Sequence, residues 1–169
     1  MALLAREHEA YELEETRFFG PNVLAFRLIT AGAKFYVVGC YFQLSDLKSL
    51  DQAIEAHKQC PKGFELLLLG DFNINLDTPR NTRDERIAEQ CDYWNLVDMS
   101  TQFTQQQTRR IKGRWIWRQP RLGRWVVSHL DYFMGSPRTR KMIRKVRLRK
   151  LRHHNTDHRA TIATFWGGG

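Results

Sequence analysis

The run Phe64-Glu65-Leu66-Leu67-Leu68-Leu69, held between Gly63 and Gly70, constrains the fold more than any other stretch of this chain. Leucine by itself favours helix, but six residues between two glycines are too few to make one. A short continuous apolar run between breakers suits a strand covered on both faces. The run ends in Gly70-Asp71-Phe72-Asn73, so the buried strand delivers polar groups to its exit.

The flanking pattern places that strand in an α/β fold. Gly20-Pro21-Asn22 is turn chemistry, Val23 to Ile29 reads as a strand, Thr30-Ala31-Gly32 as a turn, and Phe35 to Phe42 as a second strand, together a β-hairpin. Ser45 or Asp46 can cap a helix with Leu47, Leu50 and Ile54 on one face, and Pro61 and Gly63 stop it. Thr82 and Glu85 have capping-box spacing for a second helix carrying Ile87, Cys91 and Trp94 on one face, with Leu96 and Val97 closing the unit. Gln102 to Arg114 reads as a polar loop, and Trp115 to Trp117, Val126 to Met134, Val146 to Leu151 and Arg159 to Trp166 read as strands. Alternating strands and helices followed by a run of strands predict an α/β sandwich.

Composition narrows the function. A chain of 169 residues with 42% apolar residues makes one compact domain. No run approaches the ~20 apolar residues that cross a bilayer, and the acidic segment Met1 to Glu15 lacks the apolar core of a secretory leader. Cys40, Cys60 and Cys91 have no CxxC spacing and an odd count, which predicts free thiols in a reducing compartment. The net charge of +9 is unevenly distributed: Arg109 to Arg159 holds 17 Lys/Arg against Asp131 and Asp157, a surplus of 15, while the rest of the chain is acidic. A basic field of that kind attracts polyanions, nucleic acid foremost, although a solvated charged surface reads the same way.

Three segments carry chemistry. In Gly70-Asp71-Phe72-Asn73 an aspartate can take a proton from water and an asparagine amide can donate to an oxygen that becomes charged, the two roles that phosphate-ester hydrolysis needs. The same residues also suit a turn in which Asp hydrogen-bonds its own backbone. In Ser128-His129-Leu130-Asp131-Tyr132 an acid lies within an otherwise apolar strand and needs a partner, either in a site or as an arginine salt bridge. In Asn155-Thr156-Asp157-His158 a carboxylate and an imidazole precede the last strand, where they can act together or be merely structural. His153, His154 and His158 lack the accompanying ligands of a transition-metal cluster.

In this order the three segments resemble the endonuclease/exonuclease/phosphatase family, which has a GD-F/W-N strand, a later S-x-I-D-Y/H strand and a final S-D-H. Val37-Val38-Gly39-Cys40-Tyr41 looks like the family strand that ends in an active-site tyrosine, and Trp115-Ile116-Trp117-Arg118 looks like the T-W-R strand of non-LTR retrotransposon members. The resemblance implies an α/β fold, a DNase I-like β-sandwich flanked by helices, over residues 23–166. Residues 1–22 would be an extension or residual segment and 167–169 a tail. It implies catalytic roles for Asp71 (attacking water), Asn73 and Tyr41 (phosphate), Asp131 (orienting the histidine) and His158 (phosphate oxygen). Asp157 would be a metal ligand. The cofactor implied is Mg²⁺, with Mn²⁺ as the substitute, and the partner is double-stranded DNA, contacted by Arg114, Trp117, Arg118 and Arg124. The location implied is intracellular, and nuclear for a retrotransposon product.

The chain departs from the family at its start. The family's first strands carry an asparagine and, in a Q-E motif, the principal metal-binding glutamate, but only 40 residues precede Tyr41 here. Leu13-Glu14-Glu15-Thr16 lies too close to Tyr41 to be that motif, and its glutamates read as exposed acids. The domain is therefore expected to be N-terminally truncated. Two functions follow: a Mg²⁺-dependent retrotransposon-type endonuclease or a piece of one, and a non-catalytic remnant that binds nucleic acid through its basic region. A small-molecule or lipid phosphatase of the same family is a third.

Overall fold

The computed structural model describes residues 11–100, 117–121, 124–150 and 158–165. β1 (Tyr11–Gly20), β2 (Val23–Thr30) and β3 (Lys34–Tyr41) form an antiparallel meander, so the predicted hairpin is its inner half. β1 left no sequence signal because it is an edge strand without one buried face: Tyr11, Leu13 and Phe18 are all exposed. A bulge at Glu15, with φ +46°, also breaks its alternation between Glu14 and Arg17. Glu14 and Glu15 are partly exposed and pair with Arg27 of β2, at 3.9 and 3.0 Å.

α1 (Lys48–Lys58) then crosses over to β4 (Glu65–Asp71), which lies parallel to β3. A parallel neighbour demands such a crossover. The Asp46 carboxylate accepts a hydrogen bond from Lys48 N at 2.9 Å, and Leu50, Ala53 and Ala56 face the sheet. The leucine run is a central strand, as its composition requires. Leu66 and Leu68 pack under the helices, while Leu67 enters the core on the other face.

α2 (Thr82–Tyr93) buries Ile87 and Cys91 with Trp94 packed behind them. Its cap is Asn81 rather than Thr82: the Asn81 side chain accepts from Asp84 N at 2.9 Å. β5 (Val97–Asp98) follows at the sheet edge. The stretch from Val126 to Met134, expected as one strand, is divided between two sheets. β6 (Trp117–Arg121) and β7 (Arg124–Ser128) form a ribbon, whereas β8 (Asp131–Gly135) joins the main sheet between β4 and β5. The break falls at His129-Leu130, where the Leu130 carbonyl accepts from Phe72 N at 2.8 Å. Asp131 therefore opens a strand instead of lying within one.

Ser136-Pro137 starts a short helix that local periodicity did not predict, α3 (Pro137–Met142), with Ser136 accepting from Thr139 N. β9 (Ile143–Lys150) and β10 (Arg159–Phe165) form a second antiparallel ribbon. It packs Ile143, Val146 and Phe165 on Phe26, Phe35, Val37, Leu67 and Phe133, with the Phe35 and Phe165 rings 4.8 Å apart. The six-stranded sheet, ordered β1-β2-β3-β4-β8-β5, thus has α1 and α2 on one face and the β9–β10 ribbon with α3 on the other. Cys40 and Cys91 are buried, Cys60 is partly so, and all are free thiols. No described helix is long and apolar enough to cross a membrane.

Candidate active site

Three adjacent strands, β3, β4 and β8, end or begin at the same edge with the same two-residue pattern. Tyr41 pairs with Asp71 across the parallel ladder, and Asp71 with Asp131 across the antiparallel one. The next residue in each case is a buried aromatic: Phe42, Phe72 and Tyr132. Their rings touch in sequence, Phe42 to Phe72 at 4.8 Å and Phe72 to Tyr132 at 5.0 Å. Because side chains alternate along a strand, one aromatic layer below holds three polar residues above. Tyr132 is pinned further, its hydroxyl accepting from Leu76 N at 2.8 Å and donating to the His129 carbonyl at 3.1 Å.

Gly70 makes the close approach of β3 and β4 possible. Its φ is +143°, and a Cβ there would lie 1.8 Å from the Cys40 carbonyl oxygen. Beyond it, Asp71 Oδ1 accepts from Asn73 N at 2.9 Å, and Asn73 takes the left-handed conformation at φ +53°. Asp71 and Asn73 therefore form the backbone turn that these residues suit, placed at the exit of the buried strand. Asn73 Nδ2 donates to the Phe42 carbonyl at 3.1 Å, tying the end of β4 to that of β3.

His158 completes the group from the start of β10. Its Nδ1 is 2.6 Å from Asp131 Oδ2, so the partner that Asp131 required is a histidine and not an arginine. Against an ionised carboxylate Nδ1 carries the proton, and the chemistry of the ring falls to Nε2. Burial raises the pKa of Asp131, the hydrogen bond and charge of His158 pull it down, and the neighbouring Asp71 raises it again. One oxygen or nitrogen each from Asp71, Asp131 and His158 lies within 4.8 Å of the others, a donor group that could hold a metal ion. Two carboxylates fit a hard cation that keeps much of its water shell.

Of the other predicted site residues, Tyr41 is 46% exposed beside Asp71. Trp117 and Arg118 fall on β6 and Arg124 on β7, in the separate β6–β7 ribbon. Asp157 and Arg114 lie outside the described residues.

Two contributors escaped sequence reasoning. Arg83, in the first turn of α2, donates to the carbonyls of Phe42 at 3.1 Å and Phe72 at 3.4 Å while pairing with Asp84 at 3.0 Å. An arginine in a polar helix start gives no sign of this. His129 stacks on Tyr132 at 4.5 Å, with Nε2 3.4 Å from Asp98 Oδ2. Its place beside Asp131 was the available signal.

The mixed α/β fold, a multi-stranded sheet flanked by helices, is the DNase I-like fold of solved endonuclease/exonuclease/phosphatase structures that superpose on this chain. The endonuclease domain of TRAS1, a telomere-specific non-LTR retrotransposon, superposes with a TM-score of 0.63 at 17% identity, over 85% of this chain and 63% of that one. The AP endonuclease from Archaeoglobus fulgidus gives 0.63 at 16% identity, over 91% and 71%. The 3'-5' exonuclease NExo from Neisseria meningitidis gives 0.62 at 17% identity, over 90% and 71%. The sequence itself matches no protein-family model and no curated protein at a significant level. At these identities the likeness is one of fold, and the chain spans 63% of the length of the TRAS1 domain.

Proposed function

We propose that this chain hydrolyses phosphodiester bonds in double-stranded DNA with Mg²⁺, as an endonuclease of the retrotransposon type or a piece of one. The observation that carries this reading is the Asp131–His158 contact of 2.6 Å beside Asp71. In it Asp71 positions and deprotonates the attacking water. Asn73 and Tyr41 hold the scissile phosphate. Asp131 orients the ring of His158, which, when it carries a proton on each nitrogen, donates from Nε2 to a phosphate oxygen as charge develops there. Asp71 and Asp131, with Asp157 close in sequence to His158, are the residues that would hold the cation. When bound, Mg²⁺ supplies Lewis-acid stabilisation of the phosphate and the leaving oxygen.

One observation favours a second reading, a non-catalytic nucleic-acid-binding descendant. Among the described residues the clustered groups already have protein partners, Asp71 through Asn73 N and Asp131 and His158 through each other. Plasmid nicking with Mg²⁺ separates the two. For the nuclease, Asp71→Ala and His158→Ala should each reduce nicking by roughly 10²–10³-fold. Indistinguishable parent and variants, with salt-sensitive DNA binding retained, would establish the second reading and sink the first.

A further inference from the structure

The chemistry proposed above uses one edge of the sheet, and the cations of α3 and β9 take no part in it. Residues 136–150 hold eight Lys or Arg and no Asp or Glu. Solvated surfaces ordinarily intersperse the two signs, because neighbouring like charges repel. Glu65 of β4 reaches this segment, pairing with Arg138 at 3.2 Å and accepting from Ser136 Oγ at 2.9 Å. Arg140, Lys141 and Arg147 are exposed and Lys145 is half-buried, and none of the four makes an ion pair among the described residues. Ile143 and Val146 of β9 are buried in the core, while its Arg144 and Arg147 are exposed on the surface.

The direction of β9 connects these charges to the site. Lys150 pairs with Arg159, the residue after His158. From there the eight residues of β9 run back over roughly 26 Å, at ~3.3 Å each, to α3. We propose that β9 and α3 form a track for a nucleic-acid phosphodiester backbone, beginning beside the candidate active site and leading away along the β9–β10 ribbon. The proposal rests on the reading of this chain as a DNA-binding protein and adds where the nucleic acid is held away from the cut. A row of cations one strand wide matches a line of phosphates better than the plane of a membrane. With no Asn or Gln among residues 136–150 to pair with base edges, the contact is independent of sequence.

The test is binding of fluorescent duplex and single-stranded DNA to the full chain across a salt series. A track variant carries Arg140→Gln, Lys141→Gln, Lys145→Gln and Arg147→Gln. A control with the same change in net charge carries Lys34→Gln, Lys48→Gln, Lys58→Gln and Lys62→Gln, all exposed on other elements. The track variant should bind at least about tenfold more weakly at low salt. Its slope of log K against log salt on duplex should shrink by up to about 3.6, at ~0.9 for each of the four phosphates that are no longer neutralised. The control should stay near the parent, and Arg140→Lys with Arg147→Lys should bind like the parent.

Equal losses in track and control variants would reduce the effect to net charge and overturn the track, as would parent-like binding by the track variant. Tighter capture of phosphatidylserine vesicles than of DNA, through the same four residues, would also overturn it. A parent that binds through the track but nicks nothing supports the track and fails the nuclease reading alone. A parent that nicks while the track variant binds as tightly fails the track alone.

Discussion

Asp131 is under opposing demands. Burial raises its pKa and His158 draws it down, with burial the larger effect. A carboxyl whose folded pKa lies above its unfolded value holds its proton more tightly in the folded state. Its contribution to stability is then full below the ordinary carboxylate range and is lost as pH rises through the folded value. At neutral pH the ionised group is a cost accepted for the histidine it orients. Asp131→Asn, whose carbonyl still accepts from Nδ1, should therefore keep or raise the melting temperature at pH 7. The advantage over the parent should vanish as the pH falls below the carboxylate range. Nicking should fall by about 10²-fold or more as the histidine loses its negative partner. A variant that melts lower at pH 7 than in acid, relative to the parent, would contradict this assignment. Gly70 makes a simpler demand. Gly70→Ala places a methyl 1.8 Å from the Cys40 carbonyl, and denaturant unfolding should register a loss of about 3 kcal/mol or more.

At the scale of elements, the site depends on three strand ends staying level. Arg83 does this from outside the sheet: one guanidinium bridges the carbonyls that follow β3 and β4. Arg83→Met leaves the buried Phe72 carbonyl short of a partner and Asp84 short of its cation, and should cost about 2–4 kcal/mol. Arg83→Lys, reaching one carbonyl at most, should recover only part of this. The second such link joins layers. Phe35 is fully buried and packs its ring, tilted, against Phe165 of β10, the strand that His158 precedes. Phe35→Ala should cost about 3–5 kcal/mol in chemical unfolding. It should also weaken any activity that depends on His158 more than it weakens binding by the basic strand, since it loosens the seat of β10.

Over the whole molecule the charges are segregated. β1 carries Glu12, Glu14 and Glu15 at one edge of the sheet, while the cations concentrate on the elements after β5. Such a separation orients an approaching polyanion before contact and weakens as salt screens it. DNA association should accordingly slow steeply between low and physiological salt in stopped-flow measurements. Rates independent of salt would show that the field does not steer. β1 also leaves Tyr11, Leu13 and Phe18 exposed on an edge strand, the kind of surface that pairs with another chain unless it is covered.

The buried leucine strand, the hairpin and both long helices were legible in the amino-acid order, because each is set by local periodicity and breakers, and the three ordered motifs were legible through their resemblance to a family signature. The dyads Tyr41-Phe42, Asp71-Phe72 and Asp131-Tyr132 were also visible, but not that they stack into one layer. That depends on β8 entering the sheet beside β4, a pairing across some sixty positions of chain that no local pattern encodes. The split of Val126 to Met134 between two sheets was hidden for the same reason: a continuous apolar run looks alike whichever neighbours it has. β1 was invisible because an edge strand with two exposed faces needs no alternation. The sequence by itself determined which residues could do acid, base and phosphate chemistry. Tertiary structure decided that Asp71, Asp131 and His158 meet, that Arg83 ties the ends of β3 and β4 together, and that the basic strand ends beside them, because those are matters of register and packing between distant segments.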